Sequence, residues 1–443
     1  MLLPPTIDRQ RASRMQQNGD TETVRSRKFA LLLLTVVAVL NYIDRTILSI
    51  LQIPIKTDLH LSDAQLGALT GLAFALFYST CGIPIARVAD RAPRRAVIAV
   101  AVIVWSGMTA LTGLATSFTM LLLLRIGVAI GEAGSVPATH SLISDYFHRD
   151  ERASALSLWG LSLPAGLTIG FMSAGWLATS VGWRAAFLWV GIAGIVLAPI
   201  IYFLLWEPKR GRTDVARQMQ VETRSTAAAF RVLWSKRTLR PLWLAGALNA
   251  YTQLSMSSWN APFYARVHHV PLATLSVYLA LLNGIGGGIG LFLGGFLSDR
   301  LGRRNPRLFL MVPAVGILTV IPFALLQYFA GSTTVSLVAA IVPSACVLFY
   351  FSPIIAASHS LIPPSMRAFT SAMLVLIVNL IGMGLGPLVT GAISDYLSRH
   401  HGMGNESLRY AISSSMIVAL AAGVLFWRAS VLHARELSMP MTR

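Results

Sequence analysis

Charge is what this sequence has least of. Only 12% of its 443 residues are Asp, Glu, Lys or Arg, against about 25% in a soluble domain. Hydrophobic residues make up 55%. Such a chain cannot cover its apolar surface with polar groups, so it needs lipid as its solvent. That excludes an ordinary soluble enzyme and a disordered regulator. Cysteine is nearly absent: Cys81 and Cys346 both lie inside apolar runs. Neither a disulfide framework nor a cysteine metal site is expected, and no cofactor or metal is called for. Acidic residues are half as many as basic ones, 18 against 36. This excess does not imply nucleic acid, because the basic residues sit in short stretches between long apolar runs.

Apolar runs of about 20 residues match a bilayer core, and each must be a helix to satisfy its own backbone. Twelve are expected. The first six lie near 29–54, 64–86, 96–116, 118–145, 153–179 and 184–206, and the second six near 241–265, 272–297, 307–329, 334–361, 368–394 and 408–432. The reading is an all-α membrane protein with a tail at 1–28, a six-helix bundle at 29–206, a linker at 207–240, a second bundle at 241–433 and a tail at 434–443. The polar, Arg-rich first 28 residues lack a signal-peptide pattern and are expected to be a disordered tail. If the N-terminus is inside, 29 Lys and Arg fall on the cytoplasmic side and five outside, namely Lys56, Arg184, Arg266, Arg399 and Arg409. The positive-inside rule then places both termini in the cytoplasm. The stretch from Ala227 to Trp234 reads equally as a surface helix or as flexible linker.

The two halves repeat. Span two ends in Ala86-Arg87-Val88-Ala89-Asp90-Arg91-Ala92-Pro93-Arg94-Arg95, and span eight in Gly295-Phe296-Leu297-Ser298-Asp299-Arg300-Leu301-Gly302-Arg303-Arg304. Ala138-Thr139-His140-Ser141-Leu142-Ile143 in span four pairs with Ala357-Ser358-His359-Ser360-Leu361-Ile362 in span ten. Duplicated halves of this kind place a site at their interface, near the bilayer midplane.

With these motifs the chain resembles the major facilitator superfamily, whose Gly-x-x-x-Asp-Arg-x-Gly-Arg-Arg loop signature is complete at Gly295–Arg304 and departs at Ala86 and Pro93 in the first copy. Asn41-Tyr42-Ile43-Asp44-Arg45, Arg125 followed by Gly131-Glu132-Ala133, and Ser141-Leu142-Ile143-Ser144-Asp145-Tyr146-Phe147 are similar to the Spinster family. The resemblance implies two pseudo-symmetric six-helix bundles working by alternating access. It also implies a cargo such as a lysophospholipid. Organic-anion:cation symporters share the Tyr-x-Asp-Arg and Glu-Ala elements, which keeps small sugar acids or carboxylates open as the alternative cargo.

Asp44, Arg45, Arg125 and Glu132 stand within the spans of the first half. A charge at the bilayer centre costs at least about 2.5–3.5 kcal/mol, so these groups must pair or line a wet cavity. Arg125 and Glu132 are seven residues apart and share a helix face, about 10.5 Å apart along the axis; Asp44 and Arg45 diverge by about 100°. Ser135 and Thr139 continue the Arg125–Glu132 stripe. Asp44 and Glu132 are the candidate proton carriers. Arg45 and Arg125 are the candidate anion binders, grouped with Asn41, Ser135 and Thr139. A permanent ion-pair cluster that only fixes packing is the competing reading. In the second half Asn249, Tyr251, Gln253, Trp259 and Asn260 of span seven, Asn283 of span eight and Asn379 of span eleven are candidates for the uncharged part of a substrate, with interhelical hydrogen bonding as the competing reading.

The resemblance assigns Asp90, Arg91, Arg94, Arg95, Asp299, Arg300, Arg303 and Arg304 to a cytoplasmic gate, with Arg152 and Arg367 as candidate partners. His140 and His359 occupy matching repeat positions, where histidine could titrate near neutral pH. The glycine-rich stretches in spans five, eight and eleven lack a phosphate-loop context and suit close helix packing. The expectation is a proton-coupled secondary transporter of an amphipathic or organic anion, monomeric, in a bacterial inner membrane. A uniporter or a lipid enzyme is less favoured, because no nucleophile–base set or metal cluster is evident.

Overall fold

The computed structural model describes residues 6–89, 91–148, 150–210, 226–363 and 366–438. Nearly all of it is helix. Helix α1 spans Thr6–Leu59. Then follow α2 (Asp63–Ala89), α3 (Arg94–Thr112), α4 (Phe118–Tyr146), α5 (Ser154–Ser180) and α6 (Gly182–Leu204). The short α7 covers Thr226–Ser235 and the long α8 covers Leu239–Arg266. The second half continues with α9 (Leu272–Gly302), α10 (Pro306–Phe329), α11 (Thr333–Ser360), α12 (Phe369–His401) and α13 (Gly404–Leu437).

Eleven of these are long and apolar enough to cross a membrane; α8 is not among them. It has the length, at 28 residues. Its polar side chains include Asn249, Thr252, Gln253, Ser255, Ser258 and Asn260, and most of the helix is buried against protein. A helix shielded from lipid by its neighbours tolerates amides that a lipid-facing one does not. Conversely, side chains such as Phe203 and Ile417, 76% and 74% exposed, point out of the bundle. The N-terminal segment departs from the expected disordered tail, because α1 already begins at Thr6. Arg9, Gln10, Arg11, Ala12, Arg14, Met15, Gln16 and Gln17 are good helix formers, and no proline interrupts them.

Packing repeats between the halves. In the first, α3 lies along α6 and α1 along α5; in the second, α10 lies along α13 and α8 along α12. Across the interface α2 meets α12, α5 meets α9 and α1 meets α8. Three helices at this interface contain a π-helical turn: Ala68–Leu72 in α2, Leu281–Gly286 in α9 and Asn379–Leu385 in α12. Such turns break the regular ladder and often mark functional sites. The contact is close because glycine allows it. A Cβ placed on Gly67 would come 2.4 Å from the Pro387 carbonyl oxygen.

Candidate functional site

A cavity of about 240 Å³ lies between the halves. The first half lines it with Tyr42, Arg45, Thr46 and Ser49 of α1, Thr70 of α2 and Arg125 of α4. The second half contributes Gln253 and Asn260 of α8, Asn283 of α9 and Gln327 of α10. Leu163, Leu167 and Phe171 of α5, together with Leu282 and Leu348, make part of the wall apolar.

The four charged groups divide as the helical turn dictates. Arg45 Nε donates to Glu132 Oε2 at 2.7 Å. Asp44, one residue earlier, turns to α3 and accepts from Thr109 Oγ1 at 2.5 Å. It faces a separate pocket of about 20 Å³, which it shares with Arg125. Asp44 and Glu132 are buried, at 2% and 0% exposed. Phe74 joins the two cations: the guanidinium carbons of Arg45 and Arg125 lie 4.7 and 4.8 Å from its ring centroid. Tyr78 also faces Arg45, at 4.9 Å. Ring faces attract cations, and more strongly when desolvated.

Arg125 differs from Arg45 in one respect. It is buried, yet among the described residues it has no ion pair and its Nε has no hydrogen-bond partner. Two orphaned groups lie in the same region, Glu132 Oε1 and Asn41 Nδ2. The first half thus holds an ion pair, a hydroxyl-bonded carboxylate and, among the described residues, a guanidinium without a direct ion pair at the cavity.

Of the other sequence candidates for substrate contact, Gln253, Asn260 and Asn283 line the cavity. Asn249 is buried and donates to Val347 O at 2.8 Å, and Trp259 Nε1 donates to Pro387 O at 2.9 Å. Ser135 donates to Glu132 O at 3.0 Å. Thr139 and Asn41 are buried away from the cavity lining. Helix rotation turns these side chains into the packing between helices. Residues that the sequence reading did not single out, including Tyr42, Thr46, Ser49, Thr70 and Gln327, do line the cavity. Their shared helical stripe on α1 (42, 46, 49) was a signal available beforehand.

A second cluster closes one end of the interface. Asp63, 3% exposed, accepts from Lys56 Nζ at 2.5 Å and from Arg266 Nη1 at 2.9 Å. Ser394 Oγ donates to Asp63 Oδ2 at 2.8 Å. The Asp395 carboxylate caps the start of α2 by accepting from the Asp63 and Ala64 amides at 2.9 and 2.8 Å. Gln52 Nε2 donates to Ser258 O at 2.5 Å on the same side. Among the described residues, every hydrogen bond crossing between the halves belongs to this end.

At the opposite, basic end no hydrogen bond joins the two halves among the described residues. Asp299, Arg300, Arg303 and Arg304 are exposed and have no ion pair among the described residues, and Arg367 is exposed at the start of its helix. Arg91 is exposed, Arg95 lies 5.3 Å from the Tyr202 ring, and Arg152 donates to Ser144 O at 2.9 Å. Asp90 lies outside the described residues. The sequence groups Arg94 with these gate charges, whereas the structure buries it at 1% exposure. There it pairs with Asp145 and with Glu207, the latter at 2.8 Å, and donates to Pro208 O. A buried guanidinium needs this many acceptors, and the result ties α3, α4 and the start of the linker together within the first half. His140 packs edge-on against Trp159, and His359 bonds Ser371 at 2.7 Å. Among the described residues no group of three or more His, Cys, Asp or Glu could hold a metal ion.

The model of the Major Facilitator Superfamily matches residues 34–387. The chain belongs to this superfamily. The chain is similar to a bacterial homologue of the human lysosomal transporter Spinster, solved in an inward-facing, unoccupied conformation. The TM-score is 0.86 and the identity 33%, covering 93% of this chain and 98% of that one. An MFS-type efflux pump of Mycolicibacterium smegmatis is 32% identical over 407 residues, 91% of this chain and 92% of the relative. A hexuronate transporter of Bacillus subtilis is 26% identical over 375 residues, 82% and 87% of the two chains. This superfamily protein is therefore an integral, multi-pass membrane protein with the fold of transporters rather than of enzymes.

Proposed function

We propose that the protein is a proton-coupled transporter of an organic anion, with an amphipathic anion such as a lysophospholipid as its cargo. The observation that carries this reading is Arg125: a buried guanidinium that lines the cavity and has no carboxylate partner among the described residues. A cation held against a ring without a direct ion pair is suited to an incoming phosphate or carboxylate. The apolar wall of Leu163, Leu167 and Phe171 would take an acyl chain.

Coupling follows from electrostatics. An anion that draws Arg45 toward the cavity weakens the Arg45–Glu132 pair. A carboxylate in an apolar surrounding without its cation binds a proton more readily. Asp44, held by Thr109 beside Arg125, is the second proton carrier. Cargo and proton then favour each other's binding. The superfamily works by alternating access, so in this reading the basic end faces the cytoplasm, both termini lie inside, and the membrane is a bacterial plasma membrane. The Asp63 cluster is the outer gate, closed in the state described. Asp299 and the neighbouring arginines form the inner gate, with Asp90 and Arg367. The transporter acts as a monomer.

The test is uptake into proteoliposomes under an imposed pH gradient, wild type beside Glu132→Gln. The panel holds lysophospholipids and small sugar acids. Gradient-driven movement of one class, lost in the variant, supports the reading. Movement indifferent to both gradient and variant leaves a uniporter with a structural charge cluster.

A further inference from the structure

The wall that the second half gives to the cavity carries four amides, Gln253, Asn260, Asn283 and Gln327, among serines and apolar residues. Their orientation is set by neighbours. Asn260 Oδ1 accepts from the Tyr328 hydroxyl at 2.8 Å and from Gln327 Nε2 at 3.1 Å. One oxygen taking both donors fixes the Gln327 amide, whose NH₂ faces Asn260 and whose Oε1 points elsewhere. Ser336 Oγ pins the same segment by donating to the Gln327 carbonyl at 2.6 Å. Asn283 Nδ2 donates back to Leu279 O at 3.0 Å, leaving its side-chain oxygen without a donor among the described residues.

Gln327 is fully buried, at 0% exposed, and its Oε1 has no hydrogen-bond partner among the described residues. An amide oxygen can only accept. A phosphate or carboxylate oxygen is also an acceptor, so the charged group of the cargo does not satisfy it. A hydroxyl does. The two walls therefore ask for different chemistry: guanidinium donors on the first half, an acceptor held in place on the second.

We propose that Gln327, oriented by Asn260 and Tyr328 and flanked by Asn283 and Gln253, is a subsite for a free hydroxyl of the cargo. The transported molecule is then a hydroxylated anion and not a simple alkyl phosphate or fatty acid. This inference rests on the anion-transport reading above.

Matched probes test it. The full chain in nanodiscs is titrated with radiolabelled n-dodecyl phosphoglycerol and with n-dodecyl propyl phosphate, two monoanionic phosphodiesters that differ only in the glycerol hydroxyls. Gluconate and hexanoate form a second pair without the long chain. In wild type the hydroxylated member of the pair that binds is favoured by about tenfold, the scale of one satisfied buried acceptor. Gln327→Leu lowers that preference below about twofold. Gln253→Leu, at a less buried position, lowers the preference in the same direction and serves if Gln327→Leu does not fold. Equal binding of both members by wild type overturns the subsite and leaves the anion reading standing. A preference retained in both variants overturns the assignment to this wall. No saturable binding in either pair overturns the anion reading and the subsite with it.

Discussion

Arg45 donates to one oxygen of Glu132 at 2.7 Å, and the other oxygen of that carboxylate takes no donor among the described residues. The pair is half-satisfied. It holds α1 to α4, yet it retains an acceptor that a proton can occupy. A purely structural strut in a buried place would normally have both oxygens bonded.

Removing the acid from this pair strands a cation. Breaking a buried pair costs about 3–5 kcal/mol. Arg45 keeps 23% side-chain exposure, so Glu132→Ala is expected at the lower end of that range. Glu132→Gln retains an oxygen for Arg45 and should lose less. Melting curves in detergent read the difference, and identical curves for wild type and Glu132→Ala would speak against the pair as a strut.

Arg125 should behave differently. It makes no direct ion pair among the described residues, and Asp44 beside it keeps its bond from Thr109, so Arg125→Gln is expected to change the melting temperature far less than Glu132→Ala does. Uptake of the anion, by contrast, falls at least about tenfold, the loss of one charge-assisted hydrogen bond. Radiolabelled uptake and melting, measured on the same preparation, check this. A variant that melts early and transports normally would reverse the assignment.

At the closed end, Asp63 receives Lys56 from its own half and Arg266 and Ser394 from the other. Asp63→Asn keeps the shape but removes the charge that both cations face. The expected result is a larger share of molecules open at that end. Spin labels at Thr57 and His401, both exposed, should show a longer distance in the variant. An unchanged distance distribution would mean that helix packing alone holds the end shut.

Trp259 separates packing from recognition. Its indole N–H donates to Pro387 O in the α8–α12 contact, and the side chain is fully buried. Trp259→Phe should cost about 1 kcal/mol of stability while KM for the cargo stays within twofold, about the scatter of such an assay. Gln253→Ala, on the cavity wall, should raise KM instead. Side-by-side uptake kinetics distinguish the two, and a raised KM in Trp259→Phe would return it to the binding site.

The segmentation into spans was legible because lipid imposes length and apolarity on each helix separately. Asp44, Arg45, Arg125 and Glu132 were legible for the same reason, since a charge inside a span stands out against its surroundings. Even the divergence of Asp44 and Arg45 followed from the 100° turn per residue. Other features were not. Asp63 and Arg266 lie 203 residues apart, and each looks like an ordinary end-of-helix charge until the halves are docked. Arg94 reads as a loop arginine of a basic motif. Its burial depends on Asp145 arriving from α4 and Glu207 from the start of the linker.

What the sequence by itself determined is the local physics: all-helical spans, their repeat in two halves, and two acids and two bases that must find each other or water. Tertiary structure alone decided which side chains turn to the cavity and which to a neighbouring helix. Asn249 and Gln253 are one turn apart on α8, yet one is spent on Val347 O and the other lines the cavity. The rotation of a helix about its axis is fixed by everything packed around it. The polar pattern of α8 alone does not contain that angle.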